Sequence, residues 1–368
     1  VTPLFPDEYF HIGGDENEGK HWDQNKKITA FKKKHNLKTN HDLQTYFNIK
    51  LEKILLKLNK KLMGWDEIMT PTMPTTAVIH SWRGTNEGLK ESTLIEAAKT
   101  GYQSVLSNGY YIDRMLSVKH HYSVDPIGDA KLTKAERARV LGGEATMWSE
   151  LVTPLTIDSR IWPRTAAIAE RFWSQKSVKD VDNMYKRLQV VSFQLEELGI
   201  THIRNKEVIL RNITQNQNTF SLDILSAISE PLKIYTRNAG GTEYQTYSPF
   251  TLFADACNVD APDAIKFNTI VDNYIANPTE KGKKKVRYFL NKWMKGYAGF
   301  KKLKSNTKLE KLRPFYKKLN TVAKQLLEAM DSKSKTNISK SITQLKEPVE
   351  DVELVIVEAL KKLNNSLK

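Results

Sequence analysis

Hydrophobic and polar positions along residues 1–173 alternate between two rhythms. Short runs in which apolar residues crowd or alternate, YFHIGG (9–14), KLMGWDE (61–67), AVIHSWRG (77–84), YQSVLSNG (102–109) and RVLGGEATMW (139–148), read as five β-strands. Between them, HDLQTYFNIKLEKILLKLN carries apolar residues at helical spacing, and TLIEAAKT is a shorter helix that Gly101 closes. Alternating strands and helices predict βα units around a parallel sheet, an α/β fold. RIWPRTAAIAERFW reads as a helix with Pro163 near its start, and beyond it the texture changes. Residues 178–204 predict one or two helices. Residues 219–300 continue mainly helical with a turn at Gly240-Gly241, and 301–368 are Lys-rich and helical with polar breaks such as DSKSKTN. No internal repeat or Pro-rich linker interrupts the chain.

Composition narrows the class. With 368 residues, 40% of them hydrophobic, the chain can bury a large core, but no apolar run approaches the ~20 residues that cross a bilayer. A single cysteine, Cys257, excludes an intrachain disulfide. The net charge of +15 is mostly Lys, spread over helical segments and concentrated after residue 280, which reads as solvated surface; a nucleic-acid reader would interleave Arg and aromatics along one face.

Candidate chemistry gathers where the strand runs end: Asp15-Glu16, Trp65-Asp66-Glu67, Trp82-Arg83, Tyr110-Tyr111 with Asp113, and Glu144 with Trp148 and Glu150. In a β/α barrel the active site lies at the carboxyl ends of the strands, so one rim would collect all five clusters. Neighbouring carboxylates repel, and such a pair either faces water or uses the repulsion. Alternation on a regular strand would send the two to opposite faces, so Asp15 and Glu16 are expected where strand gives way to loop, beyond Gly13 and Gly14.

The motifs HIGGDE, GWDE, SWRG, YYID and GGEATMWSE, in this order, resemble the retaining β-N-acetylhexosaminidases of glycoside hydrolase family 20. The resemblance runs from residue 1 to about 205 and thins beyond. It implies a (β/α)8 TIM barrel in which HIGGDE closes the fourth strand, so that only strands four to eight are present, followed by a helical C-terminal extension. The resulting division is 1–205 for the barrel portion, 206–300 for a helical extension and 301–368 for a Lys-rich helical tail. With the start at Val1 this reads as a fragment, and an open five-stranded parallel sheet is expected to expose its edges and an apolar face, and to be poorly stable by itself.

The same resemblance implies the chemistry. Most glycosidases use two separated carboxylates; this family is a substrate-assisted exception. The substrate's own 2-acetamido oxygen attacks the anomeric carbon to form an oxazolinium ion, so the protein supplies an acid for the leaving oxygen and a negative group for the acetamido N–H. Carried over residue by residue, Glu16 is the general acid/base and Asp15 the acetamido partner. The charge of Asp15 and a covering sugar would both favour protonated Glu16, the form an acid needs. Tyr111 matches the hydroxyl that steers the acetamido oxygen, and Trp65, Trp82 and Trp148 the tryptophans that wall the pocket. Asp113 matches the acid neighbouring Tyr111, and Glu150 the carboxylate that binds the outer hydroxyls. The implied partners are N-acetylhexosamine-containing oligosaccharides or glycoconjugates, with no cofactor, no metal and no nucleic acid. By analogy with bacterial relatives the setting is periplasmic or extracellular.

Two departures qualify the match. Tyr110-Tyr111 stands where the family has Trp-Tyr, changing a pocket-edge aromatic, and the family's sugar-gripping Arg of the first strand is missing from this sequence. An inactive or truncated carbohydrate-binding protein on the same fold is the rival expectation. His11 reads as a structural member of its strand, Asp66 and Glu67 as residues that orient neighbours or cap a loop, and His120 and His121 as loop residues without a third metal ligand at recognisable spacing.

Overall fold

The computed structural model describes residues 1–238, 252–332 and 338–367; the turn expected at Gly240-Gly241 and most of DSKSKTN lie outside them. Contacts divide the chain into two units. One comprises Val1–Tyr111, Ser123–Thr146 and Arg171–Ser177; the other comprises Ile112–Tyr122, Met147–Glu170 and the chain from Val178 on.

The first unit is built on a parallel sheet of β1 (Tyr9–His11), β2 (Lys61–Trp65), β3 (Val78–Ser81), β4 (Gln103–Leu106) and β5 (Val140–Gly143), paired in chain order. All five expected strands form, each shorter than its apolar run. Registers such as His11 beside Met63, Trp65 beside His80 and Ser81 beside Leu106 align the strands so that their carboxyl ends share one edge. The central strand β3 is buried along its whole length, as a parallel strand covered on both faces must be. The Asn40–Lys57 helix joins β1 to β2 and starts at a capping box of Thr39 and Asp42. Ser92 caps the Thr93–Thr100 helix between β3 and β4, and Gly101 ends it at φ 105°, a left-handed position that suits glycine. Between β2 and β3 the chain makes only a short 3-10 turn, Asp66–Ile68, in place of a helix.

The face of the Asn40–Lys57 helix that is buried is largely polar. Gln44 donates to the Gly14 carbonyl at 2.8 Å, Thr45 to Thr70 at 3.3 Å, and Glu52 accepts from the Thr76 hydroxyl at 2.5 Å. A stripe of Phe47 (57% exposed), Ile54 and Leu58 meets solvent. Among the described residues neither edge strand has a further pairing partner, and Tyr9 and His11 on β1 and Leu141 on β5 are exposed.

In the second unit the helices Arg204–Thr214, Phe220–Ser226, Pro262–Ala276, Glu280–Phe300, Thr307–Ser332 and Val357–Ser366 share one hydrophobic core that runs from Ile209 to Leu363. Trp293, Phe267, Phe300 and Tyr316 are its largest fully buried side chains. The boundary that composition suggests at residue 300 therefore falls inside a continuous core. A two-stranded antiparallel pair, β6 (Ser229–Pro231) with β7 (Val352–Leu354), joins segments more than a hundred residues apart and leaves no local periodicity that a sequence reading could detect. His120 and His121 sit in a helix, Val118–Ser123, where a loop is expected from the sequence. His121 is buried there, and no cluster of three or more metal-ligating side chains forms among the described residues.

Candidate active site

At the exit of β1 the backbone turns within four residues. Ile12 N–H reaches the Met63 carbonyl at 2.9 Å, and Gly13 accepts from Trp65 N–H at 3.0 Å, the last links to the neighbouring strand. Gly13 (φ 75°) and Gly14 (φ 100°) then take left-handed conformations, and a Cβ on Gly14 would lie 2.6 Å from Ile68. Asp15 and Glu16 follow in the loop, both exposed, with Glu16 itself left-handed at φ 48°. Glu16 also lines a shallow recess of about 250 Å³ with Asn17 to Trp22.

The exits of β2 and β3 are tied together by two carboxylates. Asp66, fully buried, accepts from Arg83 Nε at 2.8 Å, from the Thr93 hydroxyl at 2.6 Å and from the backbone N–H groups of Trp82 and Arg83 at 3.3 and 3.2 Å, and pairs with Arg83 Nη2 at 2.6 Å. Glu67 accepts from the Trp82 indole N–H at 3.0 Å. Burial pushes the Glu67 carboxyl above its ordinary range, and the Trp82 hydrogen bond works against that rise. These acids orient the Trp82 ring and backbone, so the orienting alternative is the one the geometry bears.

Trp65 is buried and stacks on His80, centroids 4.1 Å apart at 17°, while His11 packs edge-on to both rings. His11 Nε2 and His80 Nδ1 lie 3.3 Å apart, and His11 Nδ1 accepts from Gly13 N–H at 3.0 Å. Burial, reinforced by His11, drives the His80 pKa down to about 4; burial also lowers that of His11, with Asp15 working against it. Glu144 Oε1 stands 3.9 Å from His80 Nε2. That spacing is too long for a hydrogen bond, and desolvation raises the Glu144 carboxyl above its ordinary range. The sequence reading places Trp65 in the site but neither His11 nor His80, because the three come from different strands and no local motif links them.

At the exits of β4 and β5, Tyr111 is buried and bridges Thr146 in the parallel sense. Tyr110 corrects an expectation. It is fully buried, packs edge-on against Phe172 at 4.7 Å and donates to the Val124 carbonyl at 3.0 Å, so it is a core residue and not a pocket-edge aromatic. Burial raises its phenol above the ordinary value.

The first unit thus brings Asp15, Glu16, Trp65, Trp82 and Tyr111 to one edge of its sheet. The remaining expected site residues, Asp113, Trp148 and Glu150, lie in the second unit, where they line a crevice with Met115, Leu151, Val152 and Tyr235. Asp113 is buried and accepts from the Tyr235 hydroxyl at 2.8 Å. Burial raises the Asp113 carboxyl above its usual range; Tyr235 and Arg114 oppose the rise and Glu150 adds to it. The same unit buries the arginines of RIWPR: Arg160 donates to the Cys257 carbonyl at 2.9 Å and Arg164 to the Ile112 carbonyl at 2.7 Å. Both carry pKa values lowered to about 10 by desolvation. That motif is structural support for the Asp113 segment.

A family description, glycosyl hydrolase family 20, catalytic domain, matches residues 1–176. The β-hexosaminidase subunit beta of Mus musculus is 31% identical over 208 residues, 54% of this chain and 38% of that protein. The β-hexosaminidase of Porphyromonas gingivalis is 34% identical over 226 residues, 55% of this chain and 27% of its own length. The chitobiase of Flavobacterium johnsoniae superimposes with a TM-score of 0.94 at 54% identity, covering 99% of this chain and 57% of that one. The chain thus spans well under half the length of those two curated relatives. Residues 1–176 thus match the catalytic domain of glycosyl hydrolase family 20, and the superposition on the Flavobacterium johnsoniae protein covers nearly the whole chain.

Proposed function

We propose that the natural protein hydrolyses terminal, non-reducing β-linked N-acetylglucosamine or N-acetylgalactosamine with retention of configuration, the substrate's acetamido group acting as nucleophile. The observation that carries this reading is the adjacent Asp15 and Glu16 in the glycine-turned loop after β1, on the same sheet edge as Trp65, Trp82 and Tyr111. Glu16 donates its proton to the departing glycosidic oxygen as the C–O bond breaks, and the acetamido oxygen bonds to the anomeric carbon. Asp15 accepts the acetamido N–H and balances the positive charge that develops there. Water then attacks the anomeric carbon, the oxazoline ring opens, and Glu16 takes up the water's proton. Tyr111 orients the acetamido oxygen, and the Trp65 and Trp82 rings offer flat apolar faces to the sugar, the second held by Glu67. Trp148 is a third ring of the pocket wall, Asp113 is the acid that neighbours Tyr111, and Glu150 binds the outer hydroxyls.

We read β1–β5 as five strands of an eight-stranded barrel. Support comes from their sequential parallel order, the two open edges and the solvent-facing Phe47, Ile54 and Leu58 stripe, surface that a closed barrel would cover. The name of the Flavobacterium johnsoniae protein favours short chitin fragments as substrate.

Glu16→Gln in the full-length natural protein tests the reading: hydrolysis of an aryl N-acetylglucosaminide should collapse, and undiminished turnover would refute the acid assignment. A thiazoline mimic of the bicyclic intermediate should inhibit competitively, and its failure to bind would count against substrate assistance.

A further inference from the structure

The crevice in the second unit contains a residue from outside the family-matched segment. Tyr235 follows β6, almost sixty residues past the end of that match, yet its hydroxyl donates to Asp113 Oδ2 at 2.8 Å. Its ring helps line the crevice shared with Trp148 and Glu150, and the Arg114 guanidinium lies 5.8 Å from the ring centroid. The backbone that delivers it is unusual: Ile234 (φ 48°) and Tyr235 (φ 59°) are consecutive left-handed residues, neither of them glycine. Ile234 N–H is tied to the Arg114 carbonyl at 3.0 Å, which locks this turn to the segment bearing Asp113. Such conformations are unfavourable for a β-branched residue and persist where surrounding contacts enforce them, commonly at functional positions.

The other carboxylate oxygen is the second observation. Asp113 Oδ1 is buried and meets no hydrogen-bond partner among the described residues. A buried carboxylate oxygen without a donor is costly, and its natural complement is a ligand hydroxyl. The crevice has a volume of about 10 Å³, room for one water or one hydroxyl and far too small for a sugar ring.

We propose that Tyr235 is a positioning residue for the sugar site: it holds Asp113 through Oδ2 so that Oδ1 receives a single substrate hydroxyl in the crevice bounded by Trp148 and Glu150. The C-terminal helical unit is then part of the specificity apparatus, and not only a support. This inference rests on the proposed glycosidase reading.

The test uses the full-length natural protein, an aryl N-acetylglucosaminide and its 3-, 4- and 6-deoxy analogues. Tyr235→Phe removes one oxygen atom; KM for the parent substrate should rise roughly tenfold with a smaller change in kcat. For the one deoxy analogue that lacks the crevice hydroxyl, wild type and Tyr235→Phe should converge. Asp113 faces Arg114, Glu150 and Arg164 as well as Tyr235. Losing the Tyr235 donor removes support for its anion, so the acidic limb of kcat/KM should move to higher pH. Tyr235→His, which keeps a ring donor, should fall between wild type and Phe, and it takes over the analogue comparison if the Phe variant does not fold. In an Asp113→Asn background, Tyr235→Phe should have no further effect on KM. Equal kinetics for wild type and variant, or a uniform loss across all analogues, overturns the positioning role while leaving the glycosidase reading intact. Absence of hydrolysis by wild type overturns both.

Discussion

The sheet unit and the helical unit spend their apolar residues differently. In the helical unit, Trp293, Phe267, Phe300 and Tyr316 are sealed inside a core that draws on helices from residue 209 to residue 363. In the sheet unit, Leu55, Leu62, Ile68, Ile79 and Tyr102 make a smaller cluster, while Phe47, Ile54 and Leu58 line up in solvent on the Asn40–Lys57 helix. That unit instead invests its buried positions in polar order: Asp66 with five donors, Glu67 under Trp82, the stacked Trp65 and His80. A chemical edge needs fixed polar groups, and these raise the demand for apolar support elsewhere. The comparison teaches that the adjacent acids Asp15 and Glu16 and the larger apolar core lie in different parts of this chain, whereas Asp113, Trp148 and Glu150 share a unit with that core.

The largest expected effect is kinetic and confined to the sheet unit. Glu16→Gln in the full-length protein should lower kcat by roughly 10²–10⁴ while leaving the denaturation midpoint unchanged, because Glu16 is exposed and supports no packing. An equal loss of stability would break the separation of roles.

The next prediction sharpens the contrast in packing. Trp293→Ala should cost about 3–5 kcal/mol in urea denaturation, whereas Phe47→Ser should stay within about 0.5 kcal/mol in this chain and improve its solubility. Equal costs would erase the distinction between the two units. Asp66→Ala strands Arg83 and the Trp82 backbone without their shared acceptor. It should cost about 3 kcal/mol, with Asp66→Asn milder, as read from thermal midpoints and Trp fluorescence.

A smaller effect depends on pH. The folded pKa of His80, about 4, lies below its ordinary value of 6.5, so the neutral ring favours the folded state. That contribution is complete above pH 6.5 and declines as pH falls toward 4, because the unfolded chain binds the proton first. The slope is about 1.4 kcal/mol per pH unit and vanishes below the folded pKa. Chemical denaturation at pH 7 and pH 5 should show this loss in wild type and a flatter response in His80→Gln. An identical slope in both would assign the acid sensitivity elsewhere.

Much of the sheet unit is legible in sequence because its signals are local. Five apolar runs and the stop at Gly101 each depend on a few neighbouring residues, and each corresponds to an observed element. Strand ends were harder to read, since an apolar run such as RVLGGEATMW continues after its backbone has left the ladder at Gly143. The loop position of Asp15 and Glu16 was also legible, because two glycines and the two-residue period of a strand allow little else. Tyr110 was misread for a related reason: the sequence puts it beside Tyr111, but only the turn after β4 shows that the first ring points into the core.

By itself the sequence determined where strands begin, which turns need glycine, and which polar groups arrive together at the carboxyl ends of successive strands, because these follow from periodicity and local backbone sterics. Tertiary structure alone decided the stacking of Trp65 on His80, the anchoring of Trp82 by Glu67 and the pairing of Tyr235 with Asp113 across 122 positions. Those contacts form between segments whose separation along the chain carries no pattern, and only the folding of the backbone brings their side chains within hydrogen-bonding or stacking distance.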